Sequence, residues 1–256
     1  MKKLLYTLII LVIPVAFTGC NGKGTGKKGA ETSADTITVP DTGFTGIKQY
    51  MSGQYVVSEV TFKNGVRHGL MKSFYQGGEV RTTFWYENGL KQDSARWYYP
   101  DGKLFRTTPF RNDTVDGIQK QFYRTGKVRA RIGFSKGLRT PFIQEYSSNG
   151  KLITGYPEIL VNVTDEYKTK GIYRIGLELS DLSTKVKFYK GDFIDGRFDT
   201  LQVRHLSTVK GKTVLVLKKS NETGPGSVSV IAEIITSLGN KYLTSKKIEL
   251  PYNDLK

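Results

Sequence analysis

A single cysteine, Cys20, in 256 residues rules out a disulfide framework within the chain. Only two histidines are present, His68 and His205, with no cysteine or carboxylate cluster beside either in sequence. A zinc centre or a histidine-based triad therefore has no residues to be built from. Acids are sparse between residues 46 and 156, and Asp101, Asp113 and Asp116 all fall at turn positions, so a paired-carboxylate glycosidase site is not expected. No glycine-rich loop leads into a helix, because no helix is expected beyond the N-terminal segment. Asp192, Asp195 and Asp199 share one short stretch, but their spacing matches no standard calcium pattern. These absences point away from an enzyme, and no metal or cofactor is expected.

What is present begins with a leader. Lys2 and Lys3 precede an almost unbroken apolar stretch of 14 residues, Leu4 to Phe17. That is short of the roughly 20 residues a membrane-spanning helix needs, and it has the form of a signal peptide. The segment closes on Phe17-Thr18-Gly19-Cys20. This resembles the bacterial lipobox, in which a small residue precedes a cysteine that is acylated and becomes the mature N-terminus; Phe17 stands where an aliphatic residue is usual. The resemblance implies a lipid anchor on Cys20, a signal peptide over residues 1–19 and a position in the cell envelope, on its periplasmic face or at the cell surface. Two or three acyl chains give lasting anchorage where one is marginal. From Cys20 to Thr45 the composition is rich in Gly, Lys, Thr and Ser with few large apolar groups. Such a segment buries too little to offset its ordering entropy, so residues 20–45 are expected to be a flexible tether.

Residues 46–156 repeat every 24 positions. Tyr50, Phe74, Tyr98, Phe122 and Tyr146 form one column, and Phe62, Tyr86, Phe110 and Phe134 another. Gly78, Gly102, Gly126 and Gly150 recur in phase, as do Gly65, Gly89, Asp113 and Gly137, so turn signals alternate at gaps of 13 and 11 residues. Asn-Gly and Asp-Gly pairs suit tight hairpin turns. The segments between them are strand-length, which predicts an antiparallel meander of hairpins. Repeat arrays of this kind usually present binding surfaces.

Alternation assigns the faces. Val56-Ser58-Val60-Phe62, Val80-Thr82-Phe84-Tyr86, Leu104-Arg106-Thr108-Phe110 and Val128-Ala130-Ile132-Phe134 are expected to be buried, with Arg106 the exception. Arg81, Thr83, Trp85, Phe105, Thr107, Pro109, Arg129 and Arg131 then face the other way, and Pro109 is expected to weaken pairing or force a bulge. Lys72, Arg96 and Lys120 form a basic column two residues before Phe74, Tyr98 and Phe122. Together with Arg81, Arg129, Arg131, Trp85 and Trp97, they are the candidate ligand or partner surface. The same column also reads as packing, with lysine stems laid over the aromatic row. Charge agrees with the array as the seat of the field: 18 Lys+Arg stand against 8 Asp+Glu there, within a chain of net charge +16.

The units resemble the MORN repeat variant family of bacteria. Trp97-Tyr98-Tyr99-Pro100-Asp101-Gly102-Lys103-Leu104 carries the resemblance best, followed by Phe122-Tyr123-Arg124-Thr125-Gly126-Lys127-Val128. It implies a repeat meander and an interaction or lipid-associated module; the antitoxin-like label common in that family is hard to reconcile with an exported lipoprotein. Residues 157–256 leave the 24-residue register. Glu158–Val163, Ile172–Leu179, Lys185–Tyr189, Leu201–Leu206, Thr213–Lys218, Ser227–Thr236 and Tyr242–Leu250 read as strands of a β-sandwich. The hairpin across Leu238-Gly239-Asn240 resembles the last one of bacterial immunoglobulin-like domains, without their core Trp and cysteine pair.

The expectation is thus an all-β chain, a 24-residue repeat meander followed by a β-sandwich, acting as a membrane-anchored, non-enzymatic binding or scaffolding lipoprotein. Its partners would be the membrane, through the anchor, and an envelope protein. The alternative is direct binding of anionic lipid or polysaccharide by the basic columns. No nucleic acid partner is expected.

Overall fold

The computed structural model describes residues 43–256; Cys20 and most of the segments expected to be leader and tether lie outside them. Nearly all the regular structure of the described residues is strand, with a single helical turn. The first set is Gly46–Ser52 (β1), Tyr55–Lys63 (β2), Val66–Phe74 (β3), Val80–Glu87 (β4), Leu90–Tyr98 (β5), Leu104–Arg111 (β6), Thr114–Val115 (β7), Gly117–Phe122 (β8), Val128–Ser135 (β9), Leu138–Tyr146 (β10) and Leu152–Ile153 (β11). These make one antiparallel meander in chain order, with β7 an offshoot that pairs β6. Asn64-Gly65, Asn88-Gly89, Asn112-Asp113 and Lys136-Gly137 all have positive φ at both residues, the geometry of the two-residue hairpin turn the sequence predicts.

Two devices join unit to unit. The Tyr75 hydroxyl donates to the Tyr98 carbonyl, Tyr99 to Phe122 and Tyr123 to Tyr146, one residue short of the repeat in each case. The turn amides of Gly65, Gly89, Asp113 and Gly137 donate to the carbonyls of Phe44, Arg67, Lys91 and Val115. The next carbonyl in that series, Arg139, accepts instead from Phe198, a residue of the C-terminal part. The end of the array is therefore closed by a donor from outside the repeat.

The face assignment needs one correction, and it recurs in every unit. Register runs Tyr50↔Ser58 then Met51↔Val56, Ser73↔Thr82 then Phe74↔Val80, Trp97↔Arg106 then Tyr98↔Leu104, and Gln121↔Ala130 then Phe122↔Val128. Val57, Arg81, Phe105 and Arg129 are extra residues in β-bulges, and a bulge breaks period-2 alternation. Arg129 accordingly donates to Gln121 on the buried side and is half-buried, while Arg81 reaches Ser73 of that side at 3.4 Å but stays exposed. Val56 and Val128 line clefts on the opposite side. The expected irregularity at Pro109 is present: β6 pairs β8 only at Arg106 and Thr107 before the ladder breaks around Asp116. Beyond the bulges the buried face holds, with Val60, Phe62, Thr82, Tyr86, Thr108, Ala130 and Ile132 all buried. Arg106, the apparent exception, lays its guanidinium 4.1 Å from the Trp97 ring centre.

The second set is Ile159–Glu166 (β12), Ile172–Leu179 (β13), Val186–Lys190 (β14), Arg204–Leu206 (β15), Thr213–Lys218 (β16), Ser227–Ile235 (β17) and Lys241–Glu249 (β18), with one helical turn, Tyr167–Lys170 (α1). β12-β13-β16 and β15-β14-β17-β18 form two antiparallel sheets that share one core. Alternation supplies that core: in β13 Tyr173, Ile175, Leu177 and Leu179 are buried, and in β16 Thr213, Leu215 and Leu217. β17 is buried on both sides, because Ile231 packs into a second cluster with Tyr189, Phe198 and Leu243. The loop of Asp192, Asp195 and Asp199 covers that cluster, and its carboxylates bond to Phe193, Ser229, Arg197 and Leu201.

Candidate functional site: a polar row and a buried junction

Cross-strand neighbours share a face of a sheet. Following Cα partners across the array gives one uninterrupted row: Gln49, Glu59, Lys72, Thr83, Arg96, Thr107, Lys120, Arg131 and Gln144. Successive strands lie about 4.8 Å apart, so Lys72, Arg96 and Lys120, on alternate strands, stand about 10 Å from one another. Among the described residues, the side chains of Arg96 and Lys120 make no hydrogen bond, ion pair or ring contact, and that of Lys72 only approaches Glu59 at 4.0 Å. The ring-covering role belongs to a different column: Arg67 lies over Tyr86, Lys91 over Phe110 and Arg139 over Phe134, at 5.6, 5.8 and 5.3 Å. The sequence pattern could have pointed to them, since Arg67, Lys91 and Arg139 share the 24-residue register.

The row ends in an open cleft of about 640 Å³ lined by Lys120, Phe122, Lys127, Val128, Arg131, Tyr146, Asn149 and Gly150. Arg131 donates to Gln144 at 3.3 Å, and the Tyr146 hydroxyl meets the same oxygen at 3.3 Å. A twin cleft of about 440 Å³ sits three repeats earlier, on Tyr55, Val56, Glu59, Phe74, Gly77 and Gly78. These are the counterparts, 72 positions before, of Lys127, Val128, Arg131, Tyr146, Asn149 and Gly150. One notch is acidic and the other basic on the same backbone.

The remaining candidate residues divide. Trp85 is 42% exposed and, opposite Leu70, lies on the side of Lys72 and Thr83. Trp97 sits between Thr82 and Arg106 on the buried side, edge-on to Phe84 at 5.5 Å. Arg81 and Arg129 are also on that side, and Arg129 additionally donates to the Leu238 carbonyl at 2.7 Å. The eight candidates therefore do not form one surface: Lys72, Arg96, Lys120, Arg131 and Trp85 share a face, and Trp97, Arg81 and Arg129 do not.

Sequence reasoning missed Glu145. It is 0% exposed and pairs Ala130 on the buried side. Its carboxylate accepts from the Thr236 hydroxyl at 2.8 Å, the Asn240 amide at 2.6 Å and the Tyr156 hydroxyl at 3.0 Å. Burial first, and then this bond to Glu145, hold the Tyr156 phenol well above its ordinary range, so it stays a donor. Around it, Gln121 donates to Asn240 at 2.8 Å, Arg139 to the Lys241 carbonyl at 2.7 Å, and Tyr156 stacks on Tyr242 at 4.5 Å. Burial lowers the Arg139 pKa, with Glu233 opposing that shift. The β17–β18 turn is thus clamped to β8, β9 and β10 by side chains from both parts.

Among the described residues no group of His, Cys, Asp and Glu could hold a metal ion, and no helix is long and apolar enough to cross a membrane. With this geometry in view, the array is an antiparallel repeat protein built from 24-residue hairpin units. Compared with known families, it matches the MORN repeat variant at residues 94–112 and 115–136. No curated protein matches the chain.

Proposed function

We propose that this chain is a membrane-anchored lipoprotein of the bacterial envelope, in which the repeat array and the paired sheets form a non-enzymatic scaffold for an envelope protein. The paired sheets are read as an immunoglobulin-like sandwich. The observation that carries the proposal is the clamp at Glu145, which couples the array to the sheets and lies on the face of the array opposite the Lys72, Arg96 and Lys120 row. A rigid surface binds at lower entropic cost than a jointed one. The apolar leader ending in Gly19-Cys20, in a chain with no other thiol, supports the anchor.

Two measurements test this. Intact mass of the protein from the membrane fraction is expected to give a mature N-terminus at acylated Cys20. An unmodified cysteine, or cleavage elsewhere, removes the anchor. Crosslinking and affinity capture of the tethered protein from detergent-solubilised envelope is expected to recover one protein in near-stoichiometric yield. Recovery no better than from an envelope lacking the chain counts against the scaffold.

A second reading, direct binding of anionic lipid or polysaccharide by the basic column, is favoured by one specific observation: the side chains of Arg96 and Lys120 have no partner among the described residues.

A further inference from the structure

We infer that the row from Lys72 to Lys120, with the basic notch at its end, is a track for a linear acidic polysaccharide that carries one anionic group per disaccharide. The inference rests on the second reading above, in which the basic column binds directly, and it names the ligand.

The row alternates. Lys72, Thr83, Arg96, Thr107 and Lys120 occupy five successive strands, four steps across the sheet, so cation and hydroxyl alternate from each strand to the next. Each step is about 4.8 Å, close to the advance of one sugar along an extended glycan. Acidic sugars would fall on the cations, and neutral sugars would offer their hydroxyls to Thr83 and Thr107. Neither threonine hydroxyl has a hydrogen-bond partner among the described residues, and neither do the Arg96 and Lys120 side chains. A single-stranded nucleic acid places a charge on every unit and does not match a row that is cationic at every second step. A fluid lipid surface imposes no such spacing, so the alternation would be without purpose there.

The notch sets the direction. Lys120, Lys127 and Arg131 gather around the half-buried rings of Phe122 and Tyr146, a combination suited to one terminal acidic sugar whose C–H face packs on an aromatic. The twin notch has Glu59 and Tyr55 in place of Arg131 and Lys127, and Glu59 lies near Lys72. An acidic chain is held at the C-terminal end of the array and repelled at the other.

The probe is hyaluronan of defined length, whose disaccharide carries one carboxylate, with neutral dextran, polygalacturonate and vesicles containing phosphatidylglycerol alongside. Binding by the described chain is expected to tighten from the disaccharide to the hexasaccharide and then level off. Lys72→Gln/Arg96→Gln/Lys120→Gln is expected to weaken it by about tenfold or more, at roughly two- to fivefold per exposed charge contact, and to flatten its salt dependence. Thr83→Ala/Thr107→Ala is expected to weaken it by about threefold with salt dependence unchanged. The melting temperature should be the same for all variants, which separates lost contacts from lost folding. Hyaluronan binding no tighter than dextran, independent of length, or untouched in the triple variant overturns the inference. Equal or tighter binding of polygalacturonate overturns the alternation. If vesicles alone bind, and lose binding in the triple variant, the inference fails while the broader electrostatic reading stands.

Discussion

Phe188→Ala is expected to cost about 4 kcal/mol of stability, within the range for removing a buried aromatic ring. Phe188 is 0% exposed and lies on β14 between Leu206 of β15 and Ala232 of β17. The small Ala232 on one side leaves room that only the ring fills. Ala232 is held by ladders on both sides and Leu206, on the edge strand, by one, so the surroundings collapse into the hole only in part. The loss is the transfer energy of the ring plus the contacts its neighbours forfeit. Urea unfolding followed by tyrosine fluorescence measures it, with the slope expected to stay unchanged. Phe188→Leu, which keeps most of the volume, should cost about 1.5 kcal/mol. A loss below about 2 kcal/mol for the alanine variant would mean that this core repacks.

Glu145→Ala is expected to cost about 3 kcal/mol and, unlike Phe188→Ala, to change how the molecule unfolds. The substitution strips the acceptor from Thr236, Asn240 and Tyr156, three donors directed at one buried carboxylate. An orphaned buried polar group costs roughly 1–3 kcal/mol, and water entering the space left by the side chain recovers part of that. Glu145→Gln keeps the shape and the oxygen that accepts from Thr236 and Asn240. Its amide meets Tyr156 only if the phenol turns from donor to acceptor, and the charge-assisted bonds are given up, for a cost of about 1.5 kcal/mol. Calorimetry distinguishes the effects. In the native protein the array and the sheets are expected to melt together; in Glu145→Ala the clamp is weakened and two transitions should separate. A single transition moved by only one or two degrees would show that Arg129, Arg139 and the Tyr156–Tyr242 stack carry the coupling without Glu145.

Strands were readable where the signal was local. Thr213–Lys218 and Ile172–Leu179 have the bounds the alternation predicts, and the remaining strands of the C-terminal part differ by one to three residues at their ends. The paired glycine and asparagine turns were readable for the same reason, since positive φ depends on the residue itself. The faces were readable only up to each bulge. A bulge is defined by two residues opposing one, so Val80 and Arg81 look like ordinary alternation until Phe74 is seen across the ladder. Arg129, expected to be solvated, is half-buried and bonded to Gln121, whereas Arg81 stays exposed while reaching Ser73 at 3.4 Å.

The sequence by itself determined the repeat, its 24-residue period, the turns, the two strand sets and the placement of Lys72, Arg96 and Lys120 in one column, because all of these follow from φ preferences and from spacing along the chain. Tertiary structure alone decided which cations remain free. Arg106 and Trp97 had to meet across a ladder, and Arg139 had to find a carbonyl 102 residues away, before the remaining column could be distinguished from them. Tertiary structure alone also turned Glu145 from a strand carboxylate into a buried clamp, since its partners Thr236 and Asn240 are 91 and 95 residues away. The physical reason is the same in both cases: the burial and pairing of a charge depend on what other segments bring to it, and residue identity carries only the need for a partner.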